Sequence, residues 1–169
     1  SFCKIKNNFV YCLKVCIMKK PKISIITVSY NADDTIEQTI KSVISQGYEN
    51  TEYVIIDGAS TDSTVDIIRK YEEYISYWIS EPDDGVYDAM NKGLDRCTGD
   101  IVAFLNSDDY YLEKTLEYVA EYYQNRNPDI LCCDVMIEQD GELFPQKNPW
   151  KTCPEKLREG FMMYSHQGI

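Results

Sequence analysis

Apolar positions along this chain recur with two different periods, and the two periods alternate. Short, mostly β-branched runs predict strands, whereas apolar residues at helical spacing predict helices. The predicted strands are 23–28, 53–56, 75–79 and 101–105, and the predicted helices carry Ile36 to Ile44, Val65 to Tyr71, Val86 to Cys97 and Leu112 to Gln124. Because strands alternate with helices, the pattern predicts a doubly wound, mostly parallel α/β sheet with right-handed crossovers.

The two ends of the chain depart from this alternation. Residues 130–137 predict a strand, which Asp140-Gly141 joins as a hairpin to Leu143-Phe144, with an irregular segment after it. Residues 1–17 hold an apolar stretch that falls well short of the ~20 residues needed to span a bilayer. We therefore expect 1–17 to be a leader or vector-derived segment outside the fold, and 18–169 to be the domain.

The run 101–105 is uninterrupted and stops abruptly at Asn106-Ser107-Asp108-Asp109. Such a run predicts a strand that is buried on both faces under helices. Ligands of open α/β sheets bind at the carboxyl ends of the strands, and these side chains are hard oxygen ligands that suit Mg²⁺ or Mn²⁺. The alternative is a polar loop that caps the following helix.

Polar residues follow all four predicted strands. They are Ser29, Tyr30 and Asn31; Asp57, Gly58 and Ser60; Asp83, Asp84 and Gly85; and Asn106 to Asp109. Carboxyl ends of parallel strands share one edge, so these residues predict a cleft. No Gly-rich phosphate loop is present, so phosphates bound there would need a cation. A carboxylate such as Asp57 can accept a hydrogen bond from the imide N–H of uracil.

The amino-acid composition excludes some classes of binding partner and of metal site. The chain has 17 Lys and Arg against 28 Asp and Glu, a net charge of -11, which argues against nucleic acid or an anionic membrane as the main partner. Its seven cysteines form no Cys-x-x-Cys pair, which favours a reduced cytoplasmic protein. The single histidine, His166, cannot build a metal cluster by itself and is more typical of a buried hydrogen-bonding side chain.

Four stretches carry a family resemblance, and they occur in the family's order. They are 23–31 (ISIITVSYN), 54–62 (VIIDGASTD), 80–93 (SEPDDGVYDAMNKG) and 104–109 (FLNSDD). Together they resemble a family 2 glycosyltransferase of GT-A fold, whose first half is a Rossmann-like nucleotide-binding sheet. The match is close over 22–111 and looser to 169. The third stretch is further similar to bacterial enzymes that build surface polysaccharide.

The resemblance implies a role for each matching residue. Asp57 would face the nucleotide base, with Asp84 beside it; Asp108 would approach the ribose, and Asp109 would hold Mg²⁺ or Mn²⁺ on the diphosphate. The remaining nucleotide-sugar-binding residues would be Ser29, Tyr30, Asn31 and Asn91. Asn106 stands where the family has an acid. A simpler interpretation is that Asp57 and Asp84 each belong to a turn. By the same reasoning, Asp33, Asp34 and Asp62 would only cap helices.

By resemblance, the expected activity is inverting, metal-dependent transfer of a hexose from a nucleoside-diphosphate sugar to a glycan or lipid-linked acceptor. The family's catalytic base lies well downstream of the metal motif, so we expect it beyond Ile169, with the chain truncated and its acceptor half incomplete. Should the base lie within the chain, Asp134, Glu138 and His166 are the first candidates. The expected location is cytoplasmic, at most peripheral at the inner membrane face.

Three alternatives remain to be weighed. The chain could be a sugar-nucleotide-binding domain without transfer activity, which an assay of the full-length protein would decide. A two-component receiver domain would carry paired acids after the first strand, where this chain has Ser29-Tyr30-Asn31, so we reject this alternative. A nucleotidyltransferase would need a Gly-rich, basic triphosphate loop, and no such loop occurs here.

Overall fold

The predicted parallel sheet is present in the computed structural model, which describes residues 3–5, 8–10, 20–131, 133 and 135–146. The strands are β1 (Cys3–Ile5), β2 (Asn8–Val10), β3 (Ile23–Ser29), β4 (Thr51–Asp57), β5 (Tyr77–Ser80), β6 (Ile101–Phe104), β7 (Val135–Gln139) and β8 (Glu142–Gln146). The helices are α1 (Ile36–Ile44), α2 (Thr64–Lys70), α3 (Val86–Leu94) and α4 (Thr115–Arg126), with a 3₁₀ turn at Glu72–Tyr74.

The main sheet has the order β5-β4-β3-β6, and all its described pairings are parallel. Alternate residues of a strand point to opposite faces of the sheet, so a continuously apolar strand makes both faces apolar. Helices cover both of these faces. Ile23 and Ile25 of β3 pack with α1, α2 and α4, whereas Ile26 and Val28 pack with Ala89 of α3. The doubly wound α/β class predicted from the sequence is therefore confirmed.

The sequence predicted that β6 is buried on both faces of the sheet, and this prediction is wrong. It lies at the edge of the sheet, and Val102 and Phe104 are 41% and 45% exposed. The cause is the position of α3, which packs on the β3 and β4 side chains of that face. An unbroken apolar run does not specify how far a helix extends over a sheet.

Local boundaries and caps also differ from the expectations. Helix α3 ends at Leu94 rather than Cys97, α4 begins at Thr115, and β7 begins only at Val135. Neither Asp33 nor Asp34 caps α1, whose N-cap residue is Thr35. Asp62 is not the N-cap residue of α2 either: Ser63 occupies that position, and Asp62, one residue earlier, accepts the N–H of Thr64 through its Oδ1 at 3.0 Å.

Two further hairpins are described by themselves. Strands β1 and β2 pair antiparallel, within the segment 1–17 that we expected to lie outside the fold. A second compact unit begins at Asn127, and in its described part β7 and β8 flank Asp140-Gly141. Both turn residues have positive φ, as a two-residue hairpin requires. The irregular segment was predicted beyond Pro145, but Gln146 still belongs to β8. The rest of that segment, together with Asp134, His166 and the chain end, lies outside the described residues. Among those described, no helix has the length and apolarity to cross a bilayer.

A partly buried ion pair between Lys22 and Glu52 stabilises the edge of the sheet where the strands begin. Glu52 of β4 accepts hydrogen bonds from Lys22 Nζ and Ser24 Oγ, and from the backbone N–H and hydroxyl of Thr98 at 2.7 and 2.8 Å. Burial raises the pKa of Glu52, but the bonds from Lys22, Ser24 and Thr98 outweigh burial and lower that pKa to about 2. The ionised carboxylate therefore stabilises the fold.

Acid should remove this stabilisation. The folded pKa of Glu52 lies below the ordinary value of 4.5, so its contribution is complete above pH 4.5 and is lost as the pH falls towards 2. Full protonation should cost up to about 3 kcal/mol of unfolding free energy. Urea titrations of Glu52→Gln should show lower stability near neutrality and a flatter pH slope below 4.5. Glu49→Gln is the matched control, since Glu49 is 85% exposed; a wild-type slope in Glu52→Gln would contradict the assignment.

Candidate functional site

Three strand ends meet at the carboxylate of Asp57, the last residue of β4. The parallel register places Asp57 between Ser29 of β3 and Ser80 of β5. Its Oδ1 accepts hydrogen bonds from Ser29 Oγ at 2.9 Å and Ser60 Oγ at 2.6 Å; its Oδ2 accepts from Ser60 N at 2.9 Å and Ser80 Oγ at 2.7 Å. Asp57 thus ties the ends of three strands together.

These four bonds use about all the acceptor sites that a carboxylate has. Asp57 is also 0% exposed. A nucleotide base facing this side chain would have to displace one of the four protein donors. Ser80 was not among the predicted site residues, although it directly follows the predicted strand 75–79 and opens the third stretch of the family resemblance.

The loops after β3 and β4 are fastened to each other. The N–H of Asn31 donates to Ser60 Oγ at 2.8 Å, and Asn31 Oδ1 accepts the N–H of Thr61 at 2.9 Å. Asn31 adopts φ 49°, a left-handed conformation that asparagine tolerates better than most residues. The neighbouring Tyr30 is 65% exposed, so its ring is available at the top of this pair of loops.

The loop after β5 brings a second acid to the same edge. Asp83 is half-buried, and its Oδ1 accepts the N–H of Gly85 at 2.8 Å. Asp84 is exposed, and its backbone N–H donates to Asp88 Oδ2 at 3.2 Å. Asn91 lies exposed on α3, and no described residue bonds its side chain to the other predicted site residues. The sequence predicts both Asp83 and Asp84 at the cleft, but the family resemblance implies a nucleotide-binding role for Asp84 alone.

Helix α1 fixes the loop after β6. The hydroxyl of the buried Thr39 reaches the carbonyl oxygens of Ser107 and Asp109, both at 2.8 Å. Ser42 Oγ accepts the N–H of Tyr111 at 3.1 Å. A helix from the first crossover therefore sets the position of the acidic loop, which the local sequence of that loop does not indicate.

The acid pair in this loop suits a cation. Burial raises the pKa of Asp109, and the negative charge of Asp108 raises it further, while Asn106 Nδ2 bonds to Asp109 Oδ2 at 3.3 Å. A divalent cation would relieve this unfavourable charge, and the oxygens present are of the type that Mg²⁺ and Mn²⁺ prefer. Within the described residues no three acidic, histidine or cysteine side chains converge on a common point that could hold a metal ion.

A family model matches most of this chain. The sequence model of glycosyl transferase family 2 matches residues 24–167. Bacillus subtilis TuaG, named as a teichuronic acid biosynthesis glycosyltransferase, is 46% identical over 109 residues, which are 60% of this chain and 43% of TuaG. The chain therefore spans less than half the length of this relative.

Solved structures show the same arrangement of sheet and helices. Residues 1–349 of Staphylococcus aureus TarS in complex with UDP-GlcNAc have a TM-score of 0.59 and 28% identity, covering 63% of this chain and 32% of that one. The mannosyltransferase PcManGT from Pyrobaculum calidifontis in complex with GDP-Man and Mn²⁺ has a TM-score of 0.53 and 27% identity, covering 57% and 30%.

Proposed function

The chain belongs to glycosyltransferase family 2, has the GT-A fold, and we propose that the loops after β3, β4, β5 and β6 bind a nucleoside-diphosphate sugar. One observation carries the proposal: four polar loops meet at one sheet edge, and the last of them presents Asp108 and Asp109. The UDP-GlcNAc of the TarS complex and the GDP-Man of the PcManGT complex support this class of ligand.

Each loop has a distinct task in this proposal. Ser29, Tyr30, Asn31, Asp57, Asp84 and Asn91 line or order the nucleotide site, and Asp108 meets the ribose. Asp109 holds Mg²⁺ or Mn²⁺, and the diphosphate of the donor supplies the further oxygen ligands. Such an ion stabilises the negative charge that develops on the departing nucleoside diphosphate. The Mn²⁺ of the PcManGT complex supports a divalent cation.

The proposed reaction of the whole protein is inverting transfer of a hexose to a hydroxyl of a glycan or lipid-linked acceptor, as in surface polysaccharide synthesis. A carboxylate would take the acceptor proton as the hydroxyl attacks the anomeric carbon. NMR of the product made by the full-length protein should show an inverted anomeric configuration. Retention of configuration would contradict this mechanism.

Calorimetry with the chain itself tests the site directly. Titration with nucleoside diphosphates and their sugars should show binding with Mn²⁺ present, and affinity should fall markedly when EDTA removes the metal. The bare nucleoside should bind far more weakly, because it lacks the phosphates that complete the metal site. Binding that is equal with and without metal would contradict the role of Asp109, and no binding of any nucleoside diphosphate would contradict the proposed function.

A further inference from the structure

Gly58 lies at the meeting point of the loops after β3, β4 and β5. A Cβ atom built on Gly58 would stand 2.8 Å from Asp83 Oδ2 and 3.4 Å from both Asp83 Cγ and Tyr30 Cδ2. Real Cβ atoms essentially never show contacts below 3.0 Å, so a side chain at residue 58 would require the Asp83 carboxylate to shift. The absence of a side chain at Gly58 is what lets this carboxylate lie against the backbone beside the Tyr30 ring.

The two oxygens of Asp83 have different surroundings. Oδ1 is anchored by the N–H of Gly85 at 2.8 Å. No described residue donates a hydrogen bond to Oδ2, although the residue is half-buried. Asp83 therefore presents one oriented acceptor oxygen next to an exposed aromatic ring. Asp57, in contrast, has its four acceptor sites filled by Ser29, Ser60 and Ser80.

We infer that Asp83 selects the base of the donor nucleotide, while Asp57 is a positioning residue that holds the strand ends beneath it. This inference rests on the proposed function. A carboxylate oxygen accepts but does not donate, so it favours a base whose ring nitrogen carries a hydrogen, as in uracil or guanine. The corresponding nitrogen of cytosine or adenine is itself an acceptor and would be repelled by Oδ2. Gly58 is required because it leaves the space that Asp83 occupies.

Base selectivity in calorimetry tests the assignment. With Mn²⁺ present, the wild-type chain should bind UDP or GDP more tightly than CDP and ADP. Asp83→Asn keeps an oxygen for Gly85 N–H but puts an NH₂ group where Oδ2 stands. Affinity for the preferred nucleotide should fall roughly tenfold to a hundredfold, the range of a lost hydrogen bond to a charged group. Binding of CDP should fall less or improve, because the amide can donate to the cytosine ring nitrogen.

Matched variants separate this effect from loss of charge or of fold. Asp95→Asn removes an equally negative, exposed carboxylate that directly follows α3, and it should leave affinity and base preference unchanged. Gly58→Ala should lower the affinity for the preferred nucleotide as Asp83→Asn does, because the added Cβ displaces Oδ2 of Asp83. In an Asp83→Ala background, Gly58→Ala should add little, since the atom it collides with is gone. Melting temperatures of all variants verify folding.

Two outcomes would overturn the inference, and they are distinguishable. If the wild-type chain binds a nucleoside diphosphate and folded Asp83→Asn keeps its affinity and base preference, Asp83 does not read the base, and the proposed function stands. If the wild-type chain binds no nucleoside diphosphate, the proposed function fails together with the inference.

Discussion

Asp109→Asn should abolish the metal-dependent part of nucleotide binding. The substitution replaces a charged oxygen ligand with a neutral amide, at a position where burial and Asp108 already make a negative charge unfavourable without a cation. With Mn²⁺, the dissociation constant for the preferred nucleoside diphosphate should rise roughly a hundredfold, since ion-assisted contacts contribute several kcal/mol. Without metal, variant and wild type should bind with similar, weak affinity. Calorimetry with and without EDTA measures both quantities.

Asp108→Asn is the matched control for this prediction. Asp108 carries the same charge one residue earlier but is exposed, and we assign it to the ribose. Its substitution should weaken binding to a similar degree with and without metal. If both variants kept a full metal response, the metal would be held elsewhere, and the assignment of Asp109 would be wrong.

Asp57→Ala should cause the largest loss of stability among single substitutions in the site. Truncation removes four hydrogen bonds and leaves the N–H of Ser60 and three hydroxyl groups facing a cavity beneath the loops. Each stranded polar group costs about 1–3 kcal/mol if it stays buried, so a loss of about 3 kcal/mol or more is expected. Chemical denaturation should detect it as a lower midpoint with little change in slope.

Two comparison variants make the Asp57 prediction specific. Asp57→Asn should cost less than Ala, because the amide oxygen can accept from Ser60 N and serine hydroxyls can rotate to accept from the NH₂ group. Asp66 forms a surface ion pair with Arg69, and its side chain is 81% exposed. Asp66→Ala should therefore change the free energy of unfolding by less than about 1 kcal/mol. Equal stability of Asp57→Ala and wild type would show that these bonds do not hold the strand ends together.

The order of elements and the edge that bears the site could be derived from the sequence. Local periodicity predicts strands and helices because each element must bury its own apolar side chains. Strand β3 and helix α1 accordingly lie close to the residues for which the pattern predicted them. Parallel strands then bring their carboxyl ends to one edge, so Asp57 and Asp109 could be assigned to one cleft before any contact was known.

The environments of individual side chains were decided by tertiary structure alone. Asp57 reads as an available acceptor in the sequence, and only the register that places Ser29 and Ser80 on either side of it reveals that its acceptor sites are filled. Asp83 gains its position because Gly58, 25 residues earlier, leaves an open space. The exposed face of β6 likewise depends on where α3 packs. Periodicity indicates which side chains of an element are apolar and share a face, whereas their burial, their hydrogen-bond partners and the free space around them depend on chain segments distant in sequence, which local patterns do not encode.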